Sequence, residues 1–131
     1  TSLSSVTIPN SVTSIEDETF KECTSLSSVT IPNSVTNIGD SAFFKCTSLS
    51  SVTIPNGVTS IGYDVFHFCT DLSKVKVLAT NATVEEYAFG GLASNSKIYV
   101  LNDTMQTRVK VAIDEINTTV EVVAEEQMKS L

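Results

Sequence analysis

Apolar residues recur at intervals of 23 positions from Leu3 to Val77. Three columns of equivalent residues stand out, one of leucine, one of valine and one mainly of isoleucine: Leu3, Leu26, Leu49 and Leu72; Val6, Val29, Val52 and Val75; Ile8, Ile31, Ile54 and Val77. A constant period of this size is typical of a solenoid, in which each repeat buries its apolar side chains only by stacking on its neighbours. The pattern therefore predicts a stack of similar rungs.

Each repeat begins with a segment that predicts a short strand. The spacing Leu-x-x-Val-x-Ile gives one anchoring side chain followed by period-two alternation, so that one face of the strand points inward. Pro9, Pro32 and Pro55 end these strands, because proline lacks the backbone N–H that a sheet needs. A second apolar pair, such as Val12 and Ile15, predicts a second short strand or an extended segment on the opposite wall.

The last third of each repeat predicts a short helical turn. Phe20, Phe43 and Phe66 each precede a cysteine by three residues, and this spacing places both side chains on one face of such a turn. Asp17 and Asp40 come near its start, where an acidic residue is favoured. Laid side by side, these units predict a right-handed α/β repeat solenoid with a parallel strand ladder on one wall and helical turns on another.

A glycine column lies between the second apolar pair and the predicted turn. Gly39 and Gly62 mark this position, whereas Glu16 occupies it in the first repeat. If the position requires a positive φ, we expect Glu16 to adopt it at some energetic cost.

The columns from Leu26 to Cys46 read Leu-x-x-Val-x-Ile-Pro-x-x-Val-x-x-Ile-Gly-x-x-Ala-Phe-x-x-Cys. This pattern resembles the BspA-type (Treponema pallidum-type) leucine-rich repeat, and the resemblance extends from Leu3 to Cys69 before it fades after Asp71. It implies an extracellular or cell-surface protein of bacteria or microbial eukaryotes, often engaged in adhesion to host matrix, other cells or surfaces. No catalytic residues accompany the resemblance, so we expect a non-enzymatic protein without cofactors.

The pattern loosens after Leu72 and then indicates a C-terminal cap. Asn102 or Asp103 is suited to cap a helix, whose apolar residues follow helical spacing: Met105, Val109, Ala112, Ile113 and Ile116. The segment TTVEVV returns to alternation, with Val120 lying 22 residues after Ile98, and predicts the last rung.

We therefore divide the chain into repeats over residues 1–101 and a capping helix, last strand and tail over residues 102–131. The tail AEEQMKSL predicts a frayed helix. At the other end, Thr1 aligns with Thr24 in the middle of a repeat. We accordingly expect the chain to be a piece of a longer protein with further repeats on its N-terminal side.

Charge and reactive side chains narrow the function further. The formal net charge of −7 disfavours nucleic acid as a partner, and no apolar run is long enough for membrane insertion. The cysteines Cys23, Cys46 and Cys69 share one column, which predicts a buried ladder of thiols, with a disulfide between adjacent rungs as the alternative. His67 occupies a variable position that we expect to face outward, diverging from Cys69, so a Cys-His dyad is not indicated.

The outward face of the strand ladder is the candidate binding surface. Its columns change from hydroxyl groups to a small basic and aromatic cluster: Ser5, Ser28, Ser51, Lys74 and Lys97; Thr7, Thr30, Thr53, Lys76 and Tyr99. Side chains on consecutive rungs of one face lie in contact. We therefore predict a patch that binds an acidic protein segment or glycan, presented by a host or matrix protein or by a cell surface, with a solvated sheet face as the alternative.

Three further interpretations follow from the regular repeats. A structural spacer that holds another domain away from the cell is the main alternative to adhesion. The threonine column Thr13, Thr36 and Thr59 fits an ice-binding array, although strands favour threonine in any case. An open first rung also predicts end-to-end self-association.

Overall fold

The computed structural model describes residues 3–113 and 118–131. This part of the chain folds into short parallel strands with two helices near its C-terminal end. In chain order the elements are β1 (Ser5–Thr7), β2 (Ser14–Ile15), β3 (Ser28–Thr30), β4 (Asn37–Ile38), β5 (Ser51–Ile54), β6 (Ser60–Ile61), β7 (Lys74–Val77), β8 (Thr83–Val84), β9 (Lys97–Val100), α1 (Asp103–Val111), β10 (Thr119–Val122) and α2 (Glu125–Lys129). They form a β-solenoid of about five turns.

The first strand of each repeat lies on one wall of the solenoid, which we call the strand wall. Strand β1 pairs with β3 so that Val6 lies opposite Val29, and β5 pairs with β7 so that Val52 lies opposite Val75. Across the described residues the wall consists of two hydrogen-bonded ladders, β1–β3 and β5–β7–β9–β10. The predicted parallel ladder is thus confirmed, with an interruption between β3 and β5 that the repeat pattern does not reveal.

The second apolar pair of each repeat forms a second wall. Strands β2, β4, β6 and β8 pair in parallel in that order, and their register places Ile15, Ile38, Ile61 and Val84 above one another. Of the two alternatives left by the sequence, a short strand is therefore correct. Isoleucine and valine fit such strands because branched side chains pack well on a pleated surface.

The third wall, which we call the turn wall, differs from the predicted helical turn. Residues 17–22, 40–45, 63–68 and 86–91 form consecutive hydrogen-bonded turns. The N–H of Phe44 donates to Ser41 in its own rung, whereas the N–H of Phe43 donates to Val65 in the next rung. Left-handed φ angles recur at two columns: Glu18, Ser41, Asp64 and Tyr87; Glu22, Lys45, Phe68 and Gly91. A right-handed helix cannot contain such residues, and this explains the difference.

The glycine column does not carry these left-handed angles. Gly91 is the glycine with a positive φ, of 66°, and neither Gly62 nor Glu16 has one. The conformational cost expected at Glu16 therefore does not arise. The glycines allow a close approach between rungs instead, since a Cβ at Gly62 would lie 2.4 Å from Oδ1 of Asp40.

The interior is a column of stacked aromatic rings surrounded by aliphatic side chains. The ring centroids of Phe20 and Phe43 are 5.3 Å apart, those of Phe43 and Phe66 also 5.3 Å, and those of Phe66 and Phe89 5.6 Å, all with nearly parallel planes. These separations lie within the range that aromatic pairs prefer. Phe43, Phe66 and Phe89 are completely buried. Equivalent residues of successive repeats are thus vertical neighbours, as the 23-residue period predicts.

The C-terminal cap closes the far end of the stack. Oδ1 of Asn102 accepts a hydrogen bond from the N–H of Met105 at 2.9 Å, which confirms Asn102 as the N-cap of α1. Helix α1 is tied to the solenoid because Gln106 donates to the carbonyl of Val120 and Arg108 donates to that of Ala82. Strand β10 pairs with β9 as the last rung. Ile116, which the pattern assigned to this helix, lies outside the described residues.

The tail forms a packed helix, whereas the sequence predicted a frayed one. It forms α2, and Met128 within this helix is only 3% exposed. Met128 borders a groove together with Leu78 and Leu101, which lie just beyond the ends of strands β7 and β9. The tail therefore packs beside the strand wall.

Candidate ligand-binding surface

The parallel register brings the predicted site residues together on the outer face of the strand wall. Ser5 lies beside Ser28 and Thr7 beside Thr30. Further along, the register places Ser51, Lys74 and Lys97 in one row and Thr53, Lys76 and Tyr99 in another. The six hydroxyl residues are exposed. The change from hydroxyl groups to a basic and aromatic cluster is thus a real feature of this wall.

The three lysines form the charged end of this face. Lys74 and Lys97 are register partners on adjacent strands, and strands in a ladder are about 4.8 Å apart. Side chains of register partners project from the same face, so one anion is within reach of both ammonium groups. Nζ of Lys97 lies 3.6 Å from Oε2 of Glu121, a surface ion pair. Lys74, Lys76 and Tyr99 are half-buried.

A groove beside the tail runs along the charged end of the strand wall. Its larger part has a volume of about 320 Å³ and is lined by Thr53, Asn56, Lys76, Leu78, Leu101, Glu125, Met128 and Lys129. A second part of about 250 Å³ is lined by residues of β5 and β7 and by Leu131: Ser51, Val52, Thr53, Lys74, Lys76 and Leu131. Volumes of this order accommodate a small ligand or a few side chains of a partner. The sequence did not indicate that the tail would border this site.

The threonine column on the second wall is used to join the rungs. Oγ1 of Thr36 donates to the carbonyl of Thr13 at 3.1 Å, and Oγ1 of Thr59 donates to the carbonyl of Thr36 at 3.0 Å. Beside them, Ser60 donates to Asn37 of the rung before. These hydroxyl groups therefore reinforce the stack, which gives the column a structural role.

Two of the three cysteines in the column, Cys46 and Cys69, are buried, whereas Cys23 is half-buried. The thiol of Cys46 donates to the carbonyl of Phe20 at 3.1 Å, and that of Cys69 donates to the carbonyl of Phe43 at 3.2 Å. All three cysteines are free. Burial raises the pKa of Cys46 to about 11 and raises that of Cys69 as well. Because the thiolate is the nucleophilic form, these two thiols are suited to packing rather than to chemistry.

His67 is packed among aromatic rings rather than simply facing solvent. Its ring stacks on Phe68 with centroids 4.0 Å apart and on Tyr87 at 5.5 Å, and its Nδ1 lies 3.0 Å from Oδ1 of Asp64. Phe44 meets Phe68 edge to face at 5.8 Å. We call Phe44, His67, Phe68 and Tyr87 the aromatic patch. Sequence reasoning missed it, because its four members come from three different columns of the repeat.

Residues of the first described rung line an apolar groove. Its volume is about 280 Å³ and its lining is mainly aliphatic and aromatic: Val6, Thr7, Ile8, Pro9, Val12, Ser14, Ile15, Glu16, Thr19 and Phe20. An apolar surface of this kind can receive another rung. End-to-end association through this surface stays a prediction.

The stacked parallel strands and the internal phenylalanine column define a leucine-rich repeat solenoid. The family model described as BspA type leucine rich repeat region matches residues 1–111 in six copies. The chain therefore belongs to the BspA-type leucine-rich repeat family. No curated protein matches it.

A solved structure supports the same fold. The chain is similar to a crystal structure of a leucine-rich repeat protein of T. pallidum, with 21% sequence identity, a TM-score of 0.53 and coverage of 88% of this chain. The match spans 61% of the T. pallidum chain. At this identity the likeness establishes the architecture alone.

Family membership fixes the general kind of protein. Leucine-rich repeat solenoids are typically non-enzymatic scaffolds, and their modules generally bind proteins. Within the described ranges, no helix has both the length and the apolar character needed to cross a bilayer, and no cluster of metal-ligating side chains was found there. Family membership alone places the chain in the class of interaction modules.

Proposed function

We propose that the chain is an adhesion module, displayed outside the cell, whose strand wall binds an acidic segment of a host, matrix or cell-surface protein. The main support for this proposal is that Lys74, Lys76 and Lys97 cluster on one face of a protein whose formal net charge is −7. A concentrated positive patch on an otherwise acidic surface steers an acidic partner to one place.

The surroundings of the lysines suit an extended protein segment. The hydroxyl rows lead toward the charged end and offer hydrogen-bonding groups along the same face. Leu78, Leu101 and Met128 give the adjacent groove an apolar lining. A ligand with carboxylates and one apolar side chain would use both features, since charge provides specificity and apolar burial provides affinity. An acidic glycan would engage the charges but not this apolar lining.

Charge reversal of the strand wall tests the proposal. The variant K74E/K76E/K97E is compared with T104E/T107E/K110E/V111E at exposed positions of helix α1, which makes the net charge more negative by nearly as much but leaves both the strand wall and the aromatic patch intact. Binding is measured by biolayer interferometry against a panel of extracellular matrix proteins, a polyglutamate peptide and heparin. We expect at least one matrix protein to bind the wild type, and the first variant to weaken that binding about tenfold or more relative to the second.

Three results would contradict the proposal. Equal losses in both variants would mean that binding follows net charge rather than this face. Binding of heparin alone would assign the face to anionic glycans. No binding to any probe would favour the structural spacer, because a spacer needs no ligand.

A further inference from the structure

The turn wall carries an exposed aromatic patch on a different side of the rung from the strand wall. Phe68 is 42% exposed and Tyr87 is 47% exposed, while Phe44 and His67 are half-buried beside them. Large apolar groups gathered at one place on a soluble surface mark interaction sites more often than single exposed residues do. Aromatic side chains are also enriched among the residues that carry most of the energy of protein interfaces.

The patch is built rather than incidental. His67 stacks on both Phe68 and Tyr87, and Phe44 meets Phe68 edge to face. Asp64 holds the ring of His67 through Nδ1. Rings fixed in this way lose little conformational entropy on binding, which favours affinity.

Two of these aromatic residues occupy backbone positions that do not favour them. Phe68 has a φ of 62° and Tyr87 a φ of 60°. The left-handed conformation costs a residue with a side chain about 1–2 kcal/mol, and Gly91 fills the column of Phe68 in the next rung. Phe68 and Tyr87 therefore lower the stability of the fold relative to glycine at these two positions. The same left-handed angles recur at these two columns in the other rungs, so this cost belongs to the turn itself.

Two lysines lie over rings of the patch. Nζ of Lys45 lies 5.6 Å from the ring centroid of Phe44 and 6.0 Å from that of Phe68, and Nζ of Lys21 lies 5.8 Å from that of Phe44. Lys21 is paired with Glu18 at 3.3 Å. Lys45 has no ion-pair partner among the residues that the structure describes. Its ammonium group is thus held over the rings and available to a carboxylate.

We propose that the aromatic patch is a second protein-docking surface, which binds an acidic segment of a partner protein through an aromatic or long aliphatic anchor residue. The anchor packs against Phe68 and Tyr87, and a neighbouring carboxylate pairs with Lys45. A protein segment fits better than a sugar ring. A neutral sugar could stack on an exposed ring but would not pair with the ammonium group of Lys45, which lies over the rings of Phe44 and Phe68.

Residues of sibling rungs provide variants that remove the patch without disturbing the backbone. Glycine stands at the position of Phe68 in the next rung, serine stands at the position of Tyr87 in the second rung, and glutamate stands at the position of Lys45 in the first rung. The substitutions Phe68→Gly, Tyr87→Ser and Lys45→Glu therefore place residues in slots where the same fold already accepts them. The variant F68Y/Y87F/K45R keeps the rings and the charge and serves as the matched control.

The test is selection of peptides from a displayed random dodecapeptide library on the full chain, with counter-selection on F68G/Y87S. We expect enriched peptides that combine an aromatic or aliphatic residue with Asp or Glu. Synthetic copies of these peptides should bind F68G/Y87S and K45E at least about tenfold more weakly than they bind the wild type. They should bind F68Y/Y87F/K45R and K74E/K76E/K97E within about threefold of the wild type. The last comparison separates this surface from the strand wall, because failure of one leaves the other untouched.

Other outcomes would overturn the proposal. Enrichment of no peptide family specific to the wild type would do so, as would peptides whose binding is lost in K74E/K76E/K97E instead. A glycan array in which F68G/Y87S loses sugar binding would show that the patch recognises carbohydrate. Circular dichroism and thermal unfolding of each variant confirm that it is folded before its binding is compared.

Discussion

The carboxylate of Asp17 accepts a hydrogen bond from the backbone N–H of Asp40 at 2.8 Å, one rung further along the chain. Its Oδ1 lies 2.4 Å from the point where a Cβ at Gly39 would stand, and its backbone nitrogen lies 2.6 Å from that point. Aspartate in one rung is thus matched to glycine in the next. Where Tyr63 replaces the aspartate, Glu85 replaces the glycine that would follow.

This relationship predicts that Gly39→Ala destabilises the solenoid. Because the new methyl group would overlap backbone atoms that cannot move independently, we expect a loss of about 2 kcal/mol or more, in the range of core overpacking. Urea unfolding followed by circular dichroism measures the change. Removing the carboxylate as well, in D17A/G39A, should restore the stability lost in G39A only in part, since the backbone nitrogen of Asp17 remains in place. An unchanged midpoint for G39A would show that the two rungs do not approach this closely.

The left-handed positions of the turn wall allow a comparison between two exposed lysines. Lys45 has a φ of 57°, whereas Lys21, in the same kind of turn, does not have a positive φ. Glycine relieves a left-handed cost of about 1–2 kcal/mol but elsewhere destabilises by about 0.5–1 kcal/mol through the entropy of the unfolded chain. We therefore expect K45G to be more stable than K21G by about 1 kcal/mol or more. Equal stabilities in urea unfolding would contradict the assigned backbone.

The phenylalanine column predicts a gradient in the effect of truncation. Phe43 is completely buried between two rings, whereas Phe20 is partly exposed and stacks on one. Phe43→Ala should cost about 3–5 kcal/mol, as large core truncations do, and Phe20→Ala should cost clearly less. Thermal unfolding of both variants distinguishes them. Similar losses would mean that the first rung is as well packed as the second.

The buried thiols predict a loss of stability in alkali. The pKa of Cys46 is raised by burial to about 11, so the folded state holds the proton more tightly than the unfolded state. A proton held by the native state makes stability fall as pH rises. The protonated thiol therefore contributes fully to the free energy of unfolding below a pH of about 8.5, the ordinary pKa of a thiol. This contribution is lost as the pH rises toward about 11, the pKa of Cys46 in the folded protein.

Unfolding of the wild type and of C46A/C69A between pH 7 and pH 11 checks this expectation. The stability of the wild type should fall more steeply than that of the variant, because the variant lacks both raised groups. Lysine and tyrosine residues titrate in both proteins, so their effects on stability cancel when the two pH profiles are subtracted. Parallel pH profiles would show that the thiols are hydrated in the folded protein.

The repeat pattern was sufficient to predict the stack itself, the parallel strands, the phenylalanine column and the Asn102 cap. Each of these depends on residues that recur in every repeat or on a local signal. The turn wall was not predictable in detail, because the three-residue spacing of Phe43 and Cys46 fits both a helical turn and a series of turns. The deciding hydrogen bonds, such as that from Phe43 to Val65, come from the neighbouring rung.

Features that depend on differences between the repeats were harder to predict from the sequence. The aromatic patch combines Phe44, Phe68 and Tyr87 from three different columns, so no single column reveals it. The packing of the tail depends on one apolar residue, Met128, whose burial cannot be read from its polar neighbours. The candidate strand-wall site was visible in the columns, whereas the groove beside it was not.

The central claim is that equivalent positions of successive repeats are direct neighbours, and an engineered disulfide tests it most directly. Asn37 and Ser60 are register partners on adjacent rungs, whereas Thr83 lies one rung further from Asn37. Disulfides require Cα atoms about 4.4–6.8 Å apart, which adjacent rungs satisfy and alternate rungs exceed. In a C23A/C46A/C69A background, mass spectrometry of the oxidised protein should find a disulfide in N37C/S60C and none within one molecule of N37C/T83C. Equal yields in the two variants, or cross-linking of N37C/T83C alone, would contradict the stacked solenoid.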